Sequence, residues 1–278
     1  MKRILTIQDI SCFGKCSTTI ALPVLSVMGI ETVILPTALF SMHTLFKDVY
    51  RRDLSYEMER IAERWERENI HFDAIYTAYL GSVDETEIVM DMIRRFKRDN
   101  TLVFVDPVMG DNGRFYTGFD QTYAEKTREL CALADVAVPN VTESCFLTGY
   151  PYSEQQDIEQ IRELLNGLRD MGIAGPVITG INTAPDRIAV AGFGSELFIK
   201  EYERIPASYH GTGDIFSSVC IGSILNGKSP AEAVDAAAGY VAETIKATME
   251  QGGDPRYGVA FEKTLPLLTL GDGVRVSK

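Results

Sequence analysis

The chain has 278 residues, of which 45% are hydrophobic and 24% are charged, and its formal net charge at pH 7 is −12. This composition is ordinary for a globular protein, and the length allows one large α/β domain or two small ones. The negative charge, with no cluster of Lys and Arg, argues against nucleic-acid binding, and no apolar run approaches the roughly 18 residues of a membrane span. The apolar segment at the N-terminus is too short for a signal peptide, so we expect a cytoplasmic protein that does not bind membranes.

Predicted strands and helices alternate along the chain. Short apolar runs bounded by turn residues indicate the strands, and segments between capping residues and Gly or Pro indicate the helices. The predicted strands cover residues 2–8, 31–36, 72–76, 102–105, 136–138 and 176–179. The predicted helices cover 17–28, with Pro23 near the first turn, then 53–69, 82–99, 121–133, a start at 139–140, 154–171, 215–226 and 230–249. Strand-like segments over 187–205, with a turn over 192–195, indicate an antiparallel hairpin at one end of the sheet.

This alternation predicts one α/β domain over residues 1–278 with a mostly parallel sheet, since no linker and no repeat interrupts it. In such sheets, ligands bind beyond the C-terminal ends of the strands. Polar residues recur at the predicted strand ends, namely Asp9, Thr44, Tyr79, Asp106, Asn140, Thr179 and Asp214. We therefore expect a ligand site along this edge of the sheet.

The most informative stretch runs from His210 to Asp214, where two glycines one residue apart precede an apolar helix. The N–H groups at a helix N-terminus and the positive end of its dipole favour anions. A carboxylate beside an anion site would repel the anion, so its presence needs an explanation. Removal of a proton from a hydroxyl that attacks a phosphoryl group is one. The alternative is a glycine turn in which Asp214 caps the helix.

Two further pairs of polar residues suit a metal ion or its waters. Asp106 follows a predicted strand and Asp111 comes five residues later, and carboxylate oxygens are the ligands that Mg²⁺ prefers. Asn140 and Glu143 share one face of a starting helix, where they would hold a metal-bound water. Each pair also has a purely structural interpretation. Asp106 would cap the turn before Pro107, and Asn140 with Glu143 would form a capping box.

With these motifs placed, the sequence resembles the pyridoxal kinase branch of the ribokinase-like superfamily, over nearly the whole chain. Within that superfamily, the Ser-x-His-Thr and Tyr-Leu-Gly elements narrow the resemblance to the kinases of vitamin B6. In the family's order and at about its spacing, the chain carries Ile7-Gln8 with Gly14, Phe40-Ser41-Met42-His43-Thr44, Ala78-Tyr79-Leu80-Gly81, Asp106-Pro107-Val108-Met109-Gly110, Pro139-Asn140 with Glu143, and Gly211-Thr212-Gly213-Asp214.

The resemblance implies a ribokinase-like three-layer α/β/α sandwich without a separate lid domain. It implies ATP-dependent phosphorylation of the 5′-hydroxyl of pyridoxal, pyridoxine or pyridoxamine, with Asp214 as the base. Gly211, Thr212 and Gly213 would then donate N–H groups to the γ-phosphate. The family uses MgATP, often a monovalent cation such as K⁺, and forms a homodimer.

The remaining site residues are also assigned by this resemblance. On the nucleotide side it implies Asp106, Asn140, Glu143 and Thr179, and for the metal ion it implies Asp106, Asp111 and Glu143. Around the pyridine ring it implies Asp9, Ser41, His43, Thr44 and Tyr79.

Two alternatives share parts of this pattern. A hydroxymethylpyrimidine kinase of thiamine synthesis would have the same glycine loop, metal ion and base, and the cluster of Ser41, His43 and Thr44 argues against it. A non-catalytic carrier of vitamin B6 would keep the pocket without turnover, and the intact Asp214 with its two glycines argues against that. A substrate panel and ADP production would separate the three.

Asp9 departs from the family pattern, in which a serine at this position contacts the substrate ring. A carboxylate would favour a cationic group such as the protonated aminomethyl group of pyridoxamine. We therefore expect Asp9→Ser to lower kcat/KM for pyridoxamine relative to pyridoxal, with both substrates measured on the same enzyme preparation. If the ratio of the two values does not change, Asp9 does not select the vitamer.

Overall fold

The computed structural model describes residues 1–194 and 196–269, so Ser195 of the predicted turn lies outside the described residues. Its centre is a nine-stranded sheet with the strand order β11-β10-β9-β8-β5-β4-β1-β2-β3, beside a separate hairpin of β6 and β7. The strands are β1 (Arg3–Ser11), β2 (Glu31–Phe40), β3 (Arg51–Asp53), β4 (Ala74–Thr77), β5 (Leu102–Val105), β6 (Gly110–Asp111), β7 (Arg114–Phe115), β8 (Val136–Ala137), β9 (Gly175–Ala184), β10 (Arg187–Phe193) and β11 (Leu197–Glu203).

The predicted mostly parallel sheet is confirmed. Six strands, β2, β1, β4, β5, β8 and β9, pair in parallel. The antiparallel strands lie at the two sides, with β3 on β2 and the predicted hairpin of β10 and β11 on β9. The carboxyl ends of the six parallel strands therefore meet at one edge of the sheet.

Helices cover both faces of the sheet, which gives the predicted three layers. One apolar core lies under α1, α7 and α8, and the other lies under α2 to α6. In β1, Ile4 belongs to the first core and Leu5 and Ile7 to the second, because successive side chains of a strand point to opposite faces. The helices are α1 (Thr18–Val27), α2 (Ser55–Arg67), α3 (Val83–Phe96), α4 (Gln121–Cys131), α5 (Val141–Thr148), α6 (Ile158–Asp170), α7 (Thr212–Leu225) and α8 (Pro230–Gln251).

Side-chain caps fix where several helices begin. The hydroxyl of Ser82 accepts a hydrogen bond from the N–H of Glu85 at the start of α3, as its sequence position predicts. Asp157 and Gln160 form a capping box, so α6 begins at Ile158 and not at the predicted residue 154.

Three features differ from the sequence prediction. Pro23 was expected near the first turn of its helix, and this was wrong: it lies inside α1, in the second turn, where its missing N–H leaves the carbonyl of Thr19 without an intrahelical partner. The short strand β3 and the β6–β7 hairpin were not predicted, since two or three residues carry no periodic signal. Beyond α8 the chain continues in 3-10 turns at Pro255–Tyr257, Phe261–Lys263 and Leu265–Leu268.

Across the described ranges, no helix combines the length and the apolar character that crossing a bilayer requires.

Two leucines of α1 offer a matched test of the core beneath it. Leu25 is 0% exposed and packs in the core shared with α7 and α8, whereas Leu22 is 39% exposed. Leu25→Ala should lower the free energy of unfolding by about 2–5 kcal/mol because it removes buried contacts and leaves a cavity. Leu22→Ala should change it by less than about 1 kcal/mol. Urea denaturation measures both values, and equal losses would contradict this account of the core.

Candidate active site

The structure brings most of the predicted site residues to the carboxyl edge of the parallel strands. Asp9 lies near the end of β1, and Tyr79 and Asp106 lie just beyond β4 and β5. Asn140 follows β8 and forms an isolated parallel bridge with Thr179 of β9. These positions follow from the parallel topology, because every parallel strand delivers its last residues to the same edge.

The glycine loop forms the N-terminus of α7. Its first helical hydrogen bond runs from the N–H of Ile215 to the carbonyl of Gly211, 3.0 Å. The N–H groups of Thr212, Gly213 and Asp214 therefore precede the helical ladder, where the dipole favours an anion. Gly211 has φ +91°, and an added Cβ would lie 2.6 Å from both Cδ1 of Ile20 and the carbonyl oxygen of Lys15. Only glycine fits at that position.

Asp214 sits in the first turn of α7, beside these N–H groups. The pKa of Asp214 is raised to about 7: desolvation of the carboxyl group is the largest cause, the charges of Asp106 and Asp9 add to it, and a hydrogen bond from the backbone of Ser17 opposes them. Ser17 has φ +47°, an uncommon value for a residue with a side chain, and such strain concentrates at functional sites. A carboxyl group with a pKa near neutrality is suited to accept a proton at physiological pH.

Asp106 is buried, and its Oδ2 accepts a hydrogen bond of 2.6 Å from the hydroxyl of Ser217. Burial raises the pKa of Asp106 to about 6, and the bond from Ser217 works against that rise. Sequence reasoning did not single out Ser217. Its position three residues after Asp214, on the same helix face, was the available signal.

Asn140 and Glu143 form a capping box at the start of α5, so the structural interpretation of this pair is confirmed. Both carboxylate oxygens of Glu143 accept backbone hydrogen bonds, one from Met109 at 3.0 Å and one from Asn140 at 2.8 Å. The amide of Asn140 donates to the carbonyl of Gly110 at 2.8 Å. Burial, followed by the charge of Asp106, raises the pKa of Glu143. The pair thus holds the segment after Asp106 against α5.

The three residues expected at the metal ion differ in their surroundings. Asp111 is exposed and accepts hydrogen bonds from Asn112, in the β6–β7 hairpin. Within residues 1–194 and 196–269, no group of three or more His, Cys, Asp or Glu residues has the arrangement to hold a metal ion. Asp111 is thus not joined with Asp106 and Glu143 in a ready cage. Mg²⁺ at phosphate sites commonly takes only one or two carboxylates, and Asp106 fits that part.

Asp9, which is buried, and Tyr79, which is half-buried, lie near the carboxyl ends of the neighbouring strands β1 and β4. Asp9 is 3% exposed, and its Oδ2 accepts a hydrogen bond of 3.1 Å from Ser11. Burial raises the pKa of Asp9, against the effect of hydrogen bonds from Ser17 and Ser11. Burial also raises the pKa of Tyr79 to about 12, so its phenol keeps its proton. The ring of Tyr79 packs on Phe40 and Phe119, with centroids 6.1 and 5.7 Å apart.

An ion pair between a buried carboxylate and an exposed guanidinium, which the sequence did not reveal, supports this side of the site. Glu85 of α3 pairs with Arg51 of β3 and accepts a hydrogen bond of 2.6 Å from the N–H of Gly81. Burial raises the pKa of Glu85 to about 7. The pair ties the turn after Tyr79 to the edge of the sheet, and its partners lie too far apart in sequence to give a local signal.

The loop after β2 holds the other three residues expected at the pyridine ring, and it places them differently. The hydroxyl of Ser41 accepts a hydrogen bond of 3.0 Å from the N–H of Tyr50, and Thr44 is exposed. His43 is 1% exposed. Its Nδ1 lies 3.3 Å from the N–H of Leu45, and its Nε2 lies 2.5 Å from the carbonyl oxygen of Arg256.

The chain is similar in sequence and in fold to known proteins. Residues 25–257 match the family model described as phosphomethylpyrimidine kinase. A Bacteroides thetaiotaomicron protein, provisionally named a phosphomethylpyrimidine kinase and crystallised with pyridoxal, is 38% identical with a TM-score of 0.92, over 96% of this chain and 95% of that one. Pyridoxal kinase from Lactobacillus plantarum is 32% identical with a TM-score of 0.90, over 97% of each chain. Pyridoxal kinase from Arabidopsis thaliana is 25% identical, over 96% of this chain and 88% of that protein.

The match to the family model covers most of the chain, and the Lactobacillus plantarum enzyme is similar over nearly its full length. The chain therefore belongs to the phosphomethylpyrimidine kinase family and is a kinase of the pyridoxal kinase group within it.

Proposed function

We propose that the chain transfers the γ-phosphoryl group of ATP to the 5′-hydroxyl of a vitamin B6 vitamer. The observation that carries the proposal is the half-buried carboxyl group of Asp214, which has a pKa raised to about 7 and lies in the first turn of α7 beside N–H groups that precede the helical ladder. This pairs a base with an anion site, which is what phosphoryl transfer to a hydroxyl requires. The similarity to a pyridoxal kinase and to a protein crystallised with pyridoxal supports the choice of substrate.

In the proposed reaction, Asp214 accepts the proton of the 5′-hydroxyl while the oxygen attacks the γ-phosphorus and ADP leaves. The N–H groups of the loop from Gly211 to Gly213 would stabilise the negative charge that moves onto the transferred group. The helix dipole of α7 adds to this field without needing to reorient during the reaction. The first turn of one helix would thus serve both the nucleophile and the electrophile.

On the nucleotide side, we propose that Asp106 holds Mg²⁺ directly or through its waters. Of the two carboxylate oxygens of Asp106, Oδ2 accepts the hydrogen bond from Ser217. Oδ1 accepts none within the described residues, so it remains available as an oxygen ligand. Bound Mg²⁺ would supply positive charge to the phosphates. Asn140, Glu143 and Thr179 would shape this side, with Glu143 acting through the backbone of Met109.

On the vitamer side, we propose that the pyridine ring lies near Asp9 and Tyr79, with Ser41 and Thr44 on the loop after β2. Asp9 and Tyr79 are close enough that the charge of Asp9 contributes to the raised pKa of Tyr79. A K⁺ requirement, a metal role for Asp111 and a homodimer are expected from the family resemblance and stay predictions.

A second candidate is phosphorylation of a hydroxymethylpyrimidine. The family model is described as phosphomethylpyrimidine kinase, a related pyrimidine kinase, and the Bacteroides thetaiotaomicron protein has the same provisional name. Both substrates are heteroaromatic rings with a hydroxymethyl group, so the proposed base and anion site would serve either one.

A substrate panel tests the proposal. We expect ATP-dependent phosphorylation of at least one of pyridoxal, pyridoxine and pyridoxamine, and a fall in kcat of about 10²–10⁴-fold in Asp214→Asn, because the base is lost. Asp186→Asn, at an exposed turn between β9 and β10, is the matched control and should keep wild-type kcat. Turnover of the pyrimidine alone would support the second candidate. Tight vitamer binding without turnover of any substrate in the panel would contradict both kinase assignments.

The raised pKa of Asp214 predicts two effects of pH with defined signs. The base acts when ionised, so kcat/KM should fall about tenfold per pH unit below about pH 7. The pKa of Asp214 is higher in the folded protein than in the unfolded chain, where an aspartate titrates at about pH 4. Its ionisation therefore destabilises the fold fully above about pH 7, and this penalty vanishes below about pH 4. Asp214→Asn should therefore raise the melting temperature by a few degrees at pH 8 and by much less at pH 4. An equal shift at both pH values would refute the buried-charge explanation.

A further inference from the structure

His43 lies where four separate segments of the chain meet. Its own backbone belongs to the loop after β2, and its N–H donates to the carbonyl of Phe13 at 3.1 Å. Its ring reaches Arg256 in the 3-10 turn after α8 and stacks on His210, directly before the glycine loop. One buried side chain thus contacts the segments that carry the proposed vitamer pocket and the proposed anion site.

Hydrogen bonds define the tautomer of this imidazole. Nδ1 faces the N–H of Leu45, which can only donate, so Nδ1 acts as the acceptor. Nε2 faces the carbonyl oxygen of Arg256, which can only accept, so Nε2 carries the proton. Both ring nitrogens are occupied by protein partners, and the side chain is 1% exposed. A direct hydrogen bond from this ring to a substrate would require one of these contacts to break.

The ring faces are also in contact with the protein. The rings of His43 and His210 stack with centroids 4.2 Å apart and an interplanar angle of 24°. Burial lowers the pKa of His210 to about 4, with the nearby His43 adding to the shift, so the ring of His210 is uncharged at neutral pH. His210 is bonded to Gly211, so a displacement of the stack would shift the start of the glycine loop.

The backbone at Gly14 closes the edge of the ring. Gly14 has φ +82°, and an added Cβ would lie 2.0 Å from Cδ2 of His43, so the imidazole rests directly on the main chain. Nearby rings reinforce the same junction: Phe13 contacts both Phe46 and Tyr257, with centroids 5.7 and 5.4 Å apart. The guanidinium of Arg256 lies 5.3 Å from the centre of the Phe46 ring.

We propose that His43 is a positioning residue that fixes the vitamer loop and the glycine loop relative to each other, and not a residue that contacts the vitamer. The role deepens the proposed function and rests on it. Fixing these two loops sets the distance between the 5′-hydroxyl and the γ-phosphate, and small errors in such positioning are costly for the rate. The side chain does this through one hydrogen bond to the turn after α8 and one ring stack against His210.

Two variants of His43 separate the two contacts, and a third variant, at His71, is the control. His43→Phe keeps a ring for the stack and removes both nitrogens, whereas His43→Gln keeps a donor near the position of Nε2 and removes the ring. We expect kcat for the preferred vitamer to fall at least tenfold in His43→Phe and to recover in part in His43→Gln. The exposed His71 provides the control, and His71→Gln should keep wild-type kcat and KM.

The pattern of the kinetic constants distinguishes positioning from the other roles. Loss of a pocket contact alone would raise the vitamer KM and leave kcat unchanged. A role in stability alone would lower the melting temperature and leave kcat of the folded enzyme unchanged. Either result would overturn the proposal.

Hydrogen exchange of the free protein tests the same junction without any substrate. In His43→Phe, which loses the bond to Arg256, we expect amides of residues 254–258 to exchange at least tenfold faster. In His43→Gln, which loses the stack, we expect the same of Ile215, whose N–H bonds to the carbonyl of Gly211, while amides of β4 stay as in the wild type. If His43→Phe does not fold, His210→Ala removes the stack from the other side and should raise exchange in residues 41–46. Unchanged exchange in the segment opposite the substitution would overturn the proposal. These exchange results stand even if no vitamer is phosphorylated, so failure of the proposed function is seen separately.

Discussion

The constraint on which the rest of the site depends is the burial of several carboxyl groups beside the N-terminus of α7. Asp9, Asp106 and Glu143 are buried at this edge and Asp214 is half-buried, and desolvation raises the pKa of each one. Removing a carboxylate from water is costly unless donors replace the lost water. The donors found here are backbone N–H groups and serine hydroxyls, with no Lys or Arg bonded to any of the four in the described part of the chain. The site therefore keeps negative charge available for a proton or a metal ion.

The layered fold offsets the unfavourable free energy of this arrangement. The two apolar cores lie on opposite faces of the sheet, and the polar groups are confined to one edge between them. The start of α7 belongs to that edge, while its apolar body from Ile215 onward packs in the core with α1 and α8. A single helix thus joins the apolar core of the protein to the proposed anion site. The stability of the core offsets the desolvation of the acids at its end.

Much of the fold and the location of the site could be predicted from the sequence because the governing rules are local. The alternation of strands and helices indicated a parallel sheet, and a parallel sheet collects polar strand ends such as Asp106 and Asn140 on one edge. The roles of some residues could not be separated in this way. The spacing of Asn140 and Glu143 suits a capping box and, less well, a water ligand, and the capping box becomes visible only in the hydrogen bonds of the structure.

Contacts between distant residues were beyond sequence reasoning for a different reason. The bonds from Ser217 to Asp106, from Arg51 to Glu85 and from His43 to Arg256 join positions 111, 34 and 213 residues apart. No periodicity or spacing rule connects such positions, since the turns between them set the distance. His43 illustrates the consequence: its place in a motif gave no sign of its contacts with the carbonyl of Arg256 and with the rings of Phe46 and His210.

The two edges of the nine-stranded sheet have a consequence for how copies of the chain could associate. At one edge, β3 is only three residues long and reads Arg-Arg-Asp, and all three residues are exposed. At the other, β11 carries Lys200, Glu201 and Glu203, with Lys200 paired to Asp235 at 2.8 Å. Charged side chains and short length prevent an edge strand from accepting another strand. A continuous sheet running through two molecules is therefore disfavoured at both ends, which leaves the helical and loop surfaces for any contact between copies.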